Sequence, residues 1–241
     1  MRRRVLLIAF SVLAGAGLLS ARASLAAGPD LTTPEAAVAA YVDAIARQDF
    51  NAVIAATSVD RMTTGFDFVG YVDRLGALVP MVPAPATSPF FQQINRSVAT
   101  AQIANQVRFL AYGLMTTSEV LQGKTVLMKA AEASDFATVV RTDRLAGLRL
   151  VRVGIPKPEI MNSERYQKNA VRLAMVQGAE TSTERLALLS FEGLHFTLGF
   201  TLLRYGDEWT VMAQTSPIAG TKSMGTPSRV TPEAFQKALE P

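Results

Sequence analysis

Two runs of alternating apolar and polar residues near the carboxyl end constrain the fold more than any other feature of the sequence. In the run Leu194–Tyr205, one face of an extended strand carries Phe196, Leu198, Phe200 and Leu202. The opposite face carries His195, Thr197, Thr201 and Leu203, because successive side chains of a strand point in opposite directions. Gly206-Asp207-Glu208 follows, and a second run begins at Trp209 and continues to Thr215. Two such runs around a glycine-containing turn predict an antiparallel hairpin.

The first half of the chain has the period of helices instead. Thr32 or Thr33 can cap a first helix, Pro34 suits its first turn, and Glu35 favours its positive end. One apolar stripe of this helix is formed by Val38, Tyr41, Val42 and Ile45. Asp49 can cap a second short helix, and we expect a third helix over Phe66–Val79 and a long one from Phe90 to about Met115.

Residues 80–89 contain four prolines and predict an extended connector, because proline fits neither a helix interior nor a central strand. After residue 119 the pattern favours helices at Ala130–Arg141 and Asn162–Gln177, strands at Gly147–Ile155 and Arg185–Phe191, and a last helix capped by Thr231. Helices first and antiparallel strands second indicate an α+β fold.

The start of the chain has the three parts of a secretory signal peptide. Three arginines follow Met1, an apolar run extends from Val5 to Leu19, and Ser20-Ala21-Arg22-Ala23 places small residues at the cleavage positions. The apolar run is shorter than a membrane-spanning helix of about 20 residues. We expect cleavage after Ala23, or else after Ala26 or Ala27, and a periplasmic or secreted mature protein with no transmembrane segment.

This interpretation divides the chain into a signal peptide (1–23), a flexible arm (24–31), one α+β domain (32–220) and a C-terminal loop with a short helix (221–241). It also changes the charge. The chain has 24 basic and 20 acidic residues, and the predicted signal holds four arginines and no acid. The mature protein is therefore formally neutral, which disfavours nucleic acid as a partner. Without cysteine, disulfides and thiolate chemistry are excluded.

Two segments carry a resemblance to a known superfamily. The stretch from Thr33 to Phe50 (TPEAAVAAYVDAIARQDF) resembles the opening helix pair of the NTF2-like (SnoaL-like, cystatin-fold) superfamily, and the hairpin Phe196–Met212 is similar to its last hairpin. The resemblance implies N-terminal helices packed on a strongly curved antiparallel sheet, forming a cone with a pocket. A minimal member has no room for residues 60–117, so this part would be a helical insertion.

The cone pocket would take a small apolar or amphipathic ligand. Its candidate contacts are Tyr41, Phe196, Phe200 and Trp209. The first hypothesis is therefore an exported, non-catalytic binding protein. The superfamily also contains enzymes that use carboxylate acid–base chemistry, and this is the second hypothesis; it requires a buried Asp or Glu facing the cavity. Fold alone does not choose between them.

Catalytic groups are sparse. His195 is the sole histidine, no Gly-x-Ser-x-Gly elbow accompanies it, and no phosphate-binding glycine loop or calcium-loop spacing occurs. We therefore expect no cofactor and no metal site. Asp67 and Glu192 are weaker candidates for pocket carboxylates.

The remaining feature is a local excess of positive charge between residues 141 and 172. It indicates either an ordinary solvated face or a patch for an anionic partner. The candidate patch residues are Arg149, Arg152, Lys157, Arg165, Lys168 and Arg172. The third hypothesis is a periplasmic assembly or adaptor module that docks a partner protein.

Overall fold

The fold is described from a computed structural model, for residues 28–79, 83–116, 125–222 and 224–240. The chain begins with α1 (Pro34–Ala46) and α2 (Phe50–Ala55). Thr33 caps α1 by accepting a hydrogen bond from the Ala36 N–H, and Asp49 caps α2 in the same way through the Ala52 N–H. Both capping predictions are confirmed. The predicted signal peptide and residues 80–82 of the proline connector lie outside the described residues.

The helix predicted over Phe66–Val79 is present but shorter than predicted. It is α4 (Phe68–Leu75), and a separate helix, α3 (Val59–Gly65), precedes it. Asp67 separates them because its carboxylate accepts a hydrogen bond from the Gly70 N–H and so starts a new helix. Gly76, with a left-handed φ of 65°, ends α4 before Val79.

The long helix α5 (Pro89–Met115) agrees with its prediction to within one residue at its start. The chain continues through α6 (Ala130–Val139), a 3-10 helix (Thr142–Gly147), strand β1 (Arg149–Gly154), the short α7 (Pro158–Met161) and α8 (Glu164–Val176). Strands β2 (Thr181–Phe191), β3 (Leu194–Tyr205), β4 (Glu208–Ala213) and β5 (Ser228–Arg229) follow, and α9 (Pro232–Lys237) comes last.

The strands form one curved, open antiparallel sheet in the order β1-β2-β3-β4. β3 pairs with β2 along its whole length, with β4 through residues 201–205, and with β5 at Phe196 and Thr197. The register shifts within β1 between Leu150 and Arg152, and again within β3 between Thr201 and Leu202. Such bulges bend a sheet locally. The predicted α+β class and its hairpin are confirmed.

Each face of the sheet is covered. Alternate residues of β2 and β3 pack with α1, α2 and the second half of α5 in the main core, including Leu189, Phe196 and Phe200. The opposite face carries α8 and α9; Leu203 packs there with Ala174, and Leu186 packs with Phe235. The sheet is therefore a layer between two sets of helices.

The outer edge of β4 is not left open. Its Trp209 N–H donates to the Leu31 carbonyl at 2.7 Å, its Val211 N–H donates to the Ala56 carbonyl, and its Val211 carbonyl accepts from the Ser58 N–H. The arm and the α2–α3 connection therefore satisfy backbone groups that an edge strand would expose. Across the described part of the chain, no helix combines the length and apolar character needed to cross a membrane.

Candidate functional site

The four predicted pocket residues lie in or against the core. Tyr41, Phe196 and Phe200 are completely buried. The rings of Tyr41 and Phe200 meet edge to face with their centroids 5.8 Å apart. Trp209 is half-buried and packs against the same cluster. These residues line none of the larger clefts found between the described elements. Their ligand contact stays a prediction, and the packing does not support it.

A polar network fills the centre of this region. The Tyr41 hydroxyl donates to Oε1 of Gln214 at 2.6 Å, and Nε2 of Gln214 donates to the carbonyls of Gln106 and Gly225. The Gln214 N–H in turn donates to Oε1 of Gln106. Every polar group of the Gln214 side chain is therefore used, and burial raises the pKa of the Tyr41 hydroxyl above its ordinary value.

A cleft lies instead beside the core, between α3, α4, α5 and β4. We call it the helix–strand cleft, and its volume is about 570 Å³. This is within the range of small-molecule sites, roughly 300–1,000 Å³. Its apolar surface comes from five parts of the fold and includes Met62, Phe66, Tyr71, Ile103, Phe109 and Met212.

A close crossing of two helix ends shapes the floor of this cleft. Gly65 ends α3 and Gly178 follows α8, and a Cβ added at Gly178 would lie 2.6 Å from the Gly65 carbonyl oxygen. The Asp67 N–H donates to the Val176 carbonyl at 2.9 Å and fixes the crossing. Because both glycines lack a side chain, Phe66 and Gln177 reach the cleft from adjacent backbones.

Polar groups of the cleft are mainly side-chain amides. Gln102, Asn105, Gln106 and Gln177 belong to its lining. The charged residue of the lining is Arg108, whose guanidinium lies 5.5 Å from the centroid of the Phe109 ring. Oε1 of Gln177 is buried and has no hydrogen-bond partner among the described residues. No acidic residue occurs among those that line the described cleft.

A buried carboxylate occurs on the other face of the sheet. Glu184 of β2 accepts hydrogen bonds from Ser216 Oγ at 2.6 Å and from the Ile218 N–H at 3.0 Å, while the Tyr166 hydroxyl lies 3.4 Å from its other oxygen. Burial, followed by the charge of Glu184, raises the pKa of Tyr166. Since Ser216 is completely buried, this group holds the C-terminal loop and lacks access to a substrate.

The weaker carboxylate candidates have structural partners. Asp67 caps α4, as described above. Glu192 lies in the β2–β3 turn, where Arg144 donates to it from Nε at 2.8 Å and lowers the pKa of its carboxyl group. Neither residue enters the helix–strand cleft. The carboxylate enzyme hypothesis required an acid facing the cavity, and these positions supply none.

The predicted anionic-partner patch is divided. Arg165, Lys168 and Arg172 line one groove on α8 together with Glu164 and Asn169. Arg149 instead donates to the carbonyls of Ala146 and Leu148, and Arg152 donates to Gln236 of α9. Lys157 has a left-handed backbone between β1 and α7. We call the first set, Arg165, Lys168 and Arg172, the α8 stripe.

Metal-ligating side chains are scattered in the described ranges, where no group of three or more His, Asp or Glu residues converges. His195 lies at the start of β3, on the face opposite the main core, and its backbone carbonyl accepts from the Val230 N–H. Among the described residues, the helix–strand cleft, which is apolar with amide and arginine groups, is therefore the candidate site.

The curved, open antiparallel sheet with helices packed on it defines the fold as α+β and cystatin-like. The crystal structure of a cystatin-like protein from Ruminococcus gnavus ATCC 29149 matches it with a TM-score of 0.52 at 19% sequence identity. The match covers 87% of this chain and 43% of that one, so the chain spans less than half the length of that structure. This likeness shows the fold alone. No protein-family model and no curated protein matches the chain.

Sequence reasoning found the fold but not the cleft. Met62, Ile103, Gln177 and Met212 are far apart in the chain, and no shared motif joins them. Gly65 and Gly178 were the available signal, because a glycine at a helix end permits close approach of two backbones. That signal cannot be used until the two helices are known to cross.

Proposed function

We propose that this protein is an exported, non-catalytic binding protein that holds a small apolar or amphipathic molecule in the helix–strand cleft. One observation carries the proposal. The cleft has a volume of about 570 Å³, apolar side chains from α3, α4, α5 and β4 line it, and no acid occurs among the residues of this lining. Open apolar concavities with a few polar groups are the usual form of a small-molecule site.

Methionine contributes to this argument. Met62, Met212 and Met224 all line the cleft. An unbranched thioether side chain adapts to irregular apolar shapes, which suits a surface that accepts a flexible ligand. The main core is filled by large side chains and by the Tyr41–Gln214 pair, so a ligand in the predicted cone pocket would have to displace packed groups.

Native mass spectrometry and solvent extraction of the purified mature protein test the proposal. We expect a small apolar or amphipathic molecule to copurify with it. Ala99→Phe should reduce its occupancy by about tenfold, because Ala99 lines the cleft and the added ring would fill it. Ala104→Phe is the matched control, since Ala104 is an exposed residue of the same helix.

Loss of the copurifying molecule in both variants would contradict binding in the cleft. The absence of any bound molecule, together with failure of lipid-like probes to bind, would contradict the function itself. Ala99 and Ala104 both lie on α5, and circular dichroism of each variant shows whether that variant remains folded.

Export is a separate part of the proposal. Its support is the arginine-rich start, the apolar run and the small residues before Ser24. Fractionation of cells that express the full chain should place the protein in the periplasm or medium, with its mass corresponding to a start at Ser24 or a few residues later. An uncleaved cytoplasmic chain would contradict export.

Docking of an acidic partner protein is a second candidate function. The observation that favours it is the α8 stripe, where Arg165, Lys168 and Arg172 share a groove. Glu164 pairs with Lys168, while Arg165 and Arg172 have no ion pair with another described residue. A pull-down from the periplasmic fraction should recover the partner at low salt, and Arg165→Gln with Arg172→Gln should abolish recovery. Unchanged recovery would contradict this function.

A further inference from the structure

The helix–strand cleft has one unneutralised charge. Arg108 belongs to its lining, and no described residue forms an ion pair with it, whereas Arg61 and Arg96 nearby are paired with Glu208 and Asp60. Its guanidinium stays against the ring of Phe109. A cation beside an apolar concavity attracts the anionic end of a ligand and fixes its orientation.

The cleft also has one unused acceptor. Oε1 of Gln177 is buried without a hydrogen-bond partner among the described residues, although the Gln177 backbone carbonyl accepts from the Tyr205 hydroxyl at 3.0 Å. Buried polar atoms in native proteins are nearly always hydrogen-bonded. A ligand with a hydroxyl or amide N–H group would donate the hydrogen bond that Oε1 of Gln177 lacks.

The apolar residues separate the cleft from an ordinary anion site. Phe66 and Ile103 are buried at its floor, and Met212 of β4 forms its side. The α8 stripe has more positive charge, but its groove is lined by charged and amide side chains and has no apolar floor. A hydrophilic anion suits the stripe, while an anion with an apolar body suits the cleft.

We infer that the helix–strand cleft binds an amphipathic acid: an apolar body over Ile103 and Met212, an anionic group at Arg108, and a hydroxyl or amide donor facing Gln177. This inference rests on the proposed function and names its class of ligand. It excludes cationic amphiphiles, because their charge would lie beside an uncompensated arginine.

Three probes that each have one unbranched chain of dodecyl type test the inference: dodecanoate, dodecanol and dodecyltrimethylammonium. Binding to the mature protein is measured by calorimetry below the micelle concentration of the two ionic probes and below the aqueous solubility of dodecanol. We expect dodecanoate to bind about tenfold or more tightly than dodecanol, as a charge-assisted hydrogen bond would give, and dodecyltrimethylammonium to bind more weakly than both.

Variants assign the preference to its residue. Arg108→Gln should lower the affinity for dodecanoate to that for dodecanol, and leave dodecanol unchanged. Gln177→Glu, which keeps the shape of the side chain, should weaken the preference for dodecanoate, because its carboxylate would offset the charge of Arg108. Arg172→Gln is the control, because Arg172 lies on the α8 stripe, and it should change nothing.

The outcomes separate the inference from the function. Equal binding of dodecanoate and dodecanol, or a preference that survives Arg108→Gln, overturns the amphipathic acid and leaves a neutral apolar ligand. Loss of the preference in Arg172→Gln moves the anionic site to the α8 stripe and also overturns it. If no probe binds and nothing copurifies with the protein, both the inference and the proposed function fail.

Discussion

The Tyr41 hydroxyl and Oε1 of Gln214 lie 2.6 Å apart in the core and join α1 to the segment after β4. The bond closes the space between helix and sheet where the family resemblance predicts a pocket. Gln106 of α5 extends the connection by accepting from Gln214 through its own side chain and backbone. These hydrogen bonds hold α5 against the centre of the sheet. The accessible concavity, the helix–strand cleft, therefore lies beside the core and not within it.

Removing the Tyr41 hydroxyl should destabilise the protein. Tyr41→Phe leaves Oε1 of Gln214 buried without its donor, which costs about 1–3 kcal/mol in the free energy of unfolding. Urea denaturation measures this loss. Thr138→Ala removes an exposed hydroxyl on α6 that bonds the Asp135 carbonyl, and we expect a change of less than about 0.5 kcal/mol there. Equal effects of the two substitutions would contradict the role of the buried pair.

Stability should also fall at alkaline pH through the same residue. Burial raises the pKa of Tyr41 in the folded protein, whereas in the unfolded chain it ionises near its ordinary value of 10.0. The unfolded state therefore loses a proton first, and the Tyr41 contribution is present below pH 10 and lost above it. Above pH 10, ionisation of Tyr41 in the unfolded chain should lower the free energy of unfolding by about 1.4 kcal/mol per pH unit.

Urea denaturation at a series of pH values from about pH 9 to about pH 11 checks this sign. The difference in unfolding free energy between the native sequence and Tyr41→Phe should shrink as the pH rises, because phenylalanine has no proton to lose. A difference that stays constant across the series would contradict a buried, neutral tyrosine.

The predictable part of the fold is the part encoded by local pattern. The alternation of Phe196, Leu198, Phe200 and Leu202 predicts both the strand and its buried face, and Thr33 and Asp49 predict two helix starts. These features depend on residues within one turn or one strand of each other. The hairpin and the capped helices were therefore read correctly from the sequence.

Long-range features were not predictable in the same way. The pairing of Trp209 with Leu31, and the short strand at Ser228–Arg229, depend on contacts between distant parts of the chain. The helix–strand cleft depends on the crossing at Gly65 and Gly178. The predicted pocket residues have the right apolar character, but apolar character alone does not distinguish the lining of a cavity from a filled core.

The close contact at Gly199 gives a prediction about the second face of the sheet. A Cβ at this position would lie 2.5 Å from the Ser216 backbone nitrogen and 2.7 Å from the Ser216 Cβ. Gly199→Ala should therefore push the C-terminal loop away from Glu184, at a cost of about 1–3 kcal/mol. A thermal or urea unfolding curve measures the effect.

Gly147→Ala is the matched control for this substitution. Gly147 ends the 3-10 helix, and a Cβ there would meet nothing within 4 Å. We expect a change within about 0.5 kcal/mol. If Gly199→Ala is equally mild, the loop has room to move, and the contact does not explain the glycine.

The arm before α1 gives the last prediction, and it concerns the limits of signal cleavage. Leu31 is buried in the main core, and its carbonyl accepts from the Trp209 N–H at the edge of β4. Cleavage after Ala23, Ala26 or Ala27 retains this residue. A chain that begins at Gly28 should therefore be as stable as one that begins at Ser24.

A chain that begins at Thr33 should lose about 2–3 kcal/mol, because it forfeits the buried leucine and leaves the edge of β4 without its partner. Leu31→Ala in the longer chain separates the two causes: the side-chain contribution disappears while the backbone hydrogen bond stays. Hydrogen exchange at the Trp209 N–H should accelerate after truncation and change less in Leu31→Ala. Equal stability of the chains that begin at Gly28 and Thr33 would show that the arm does not hold the sheet edge.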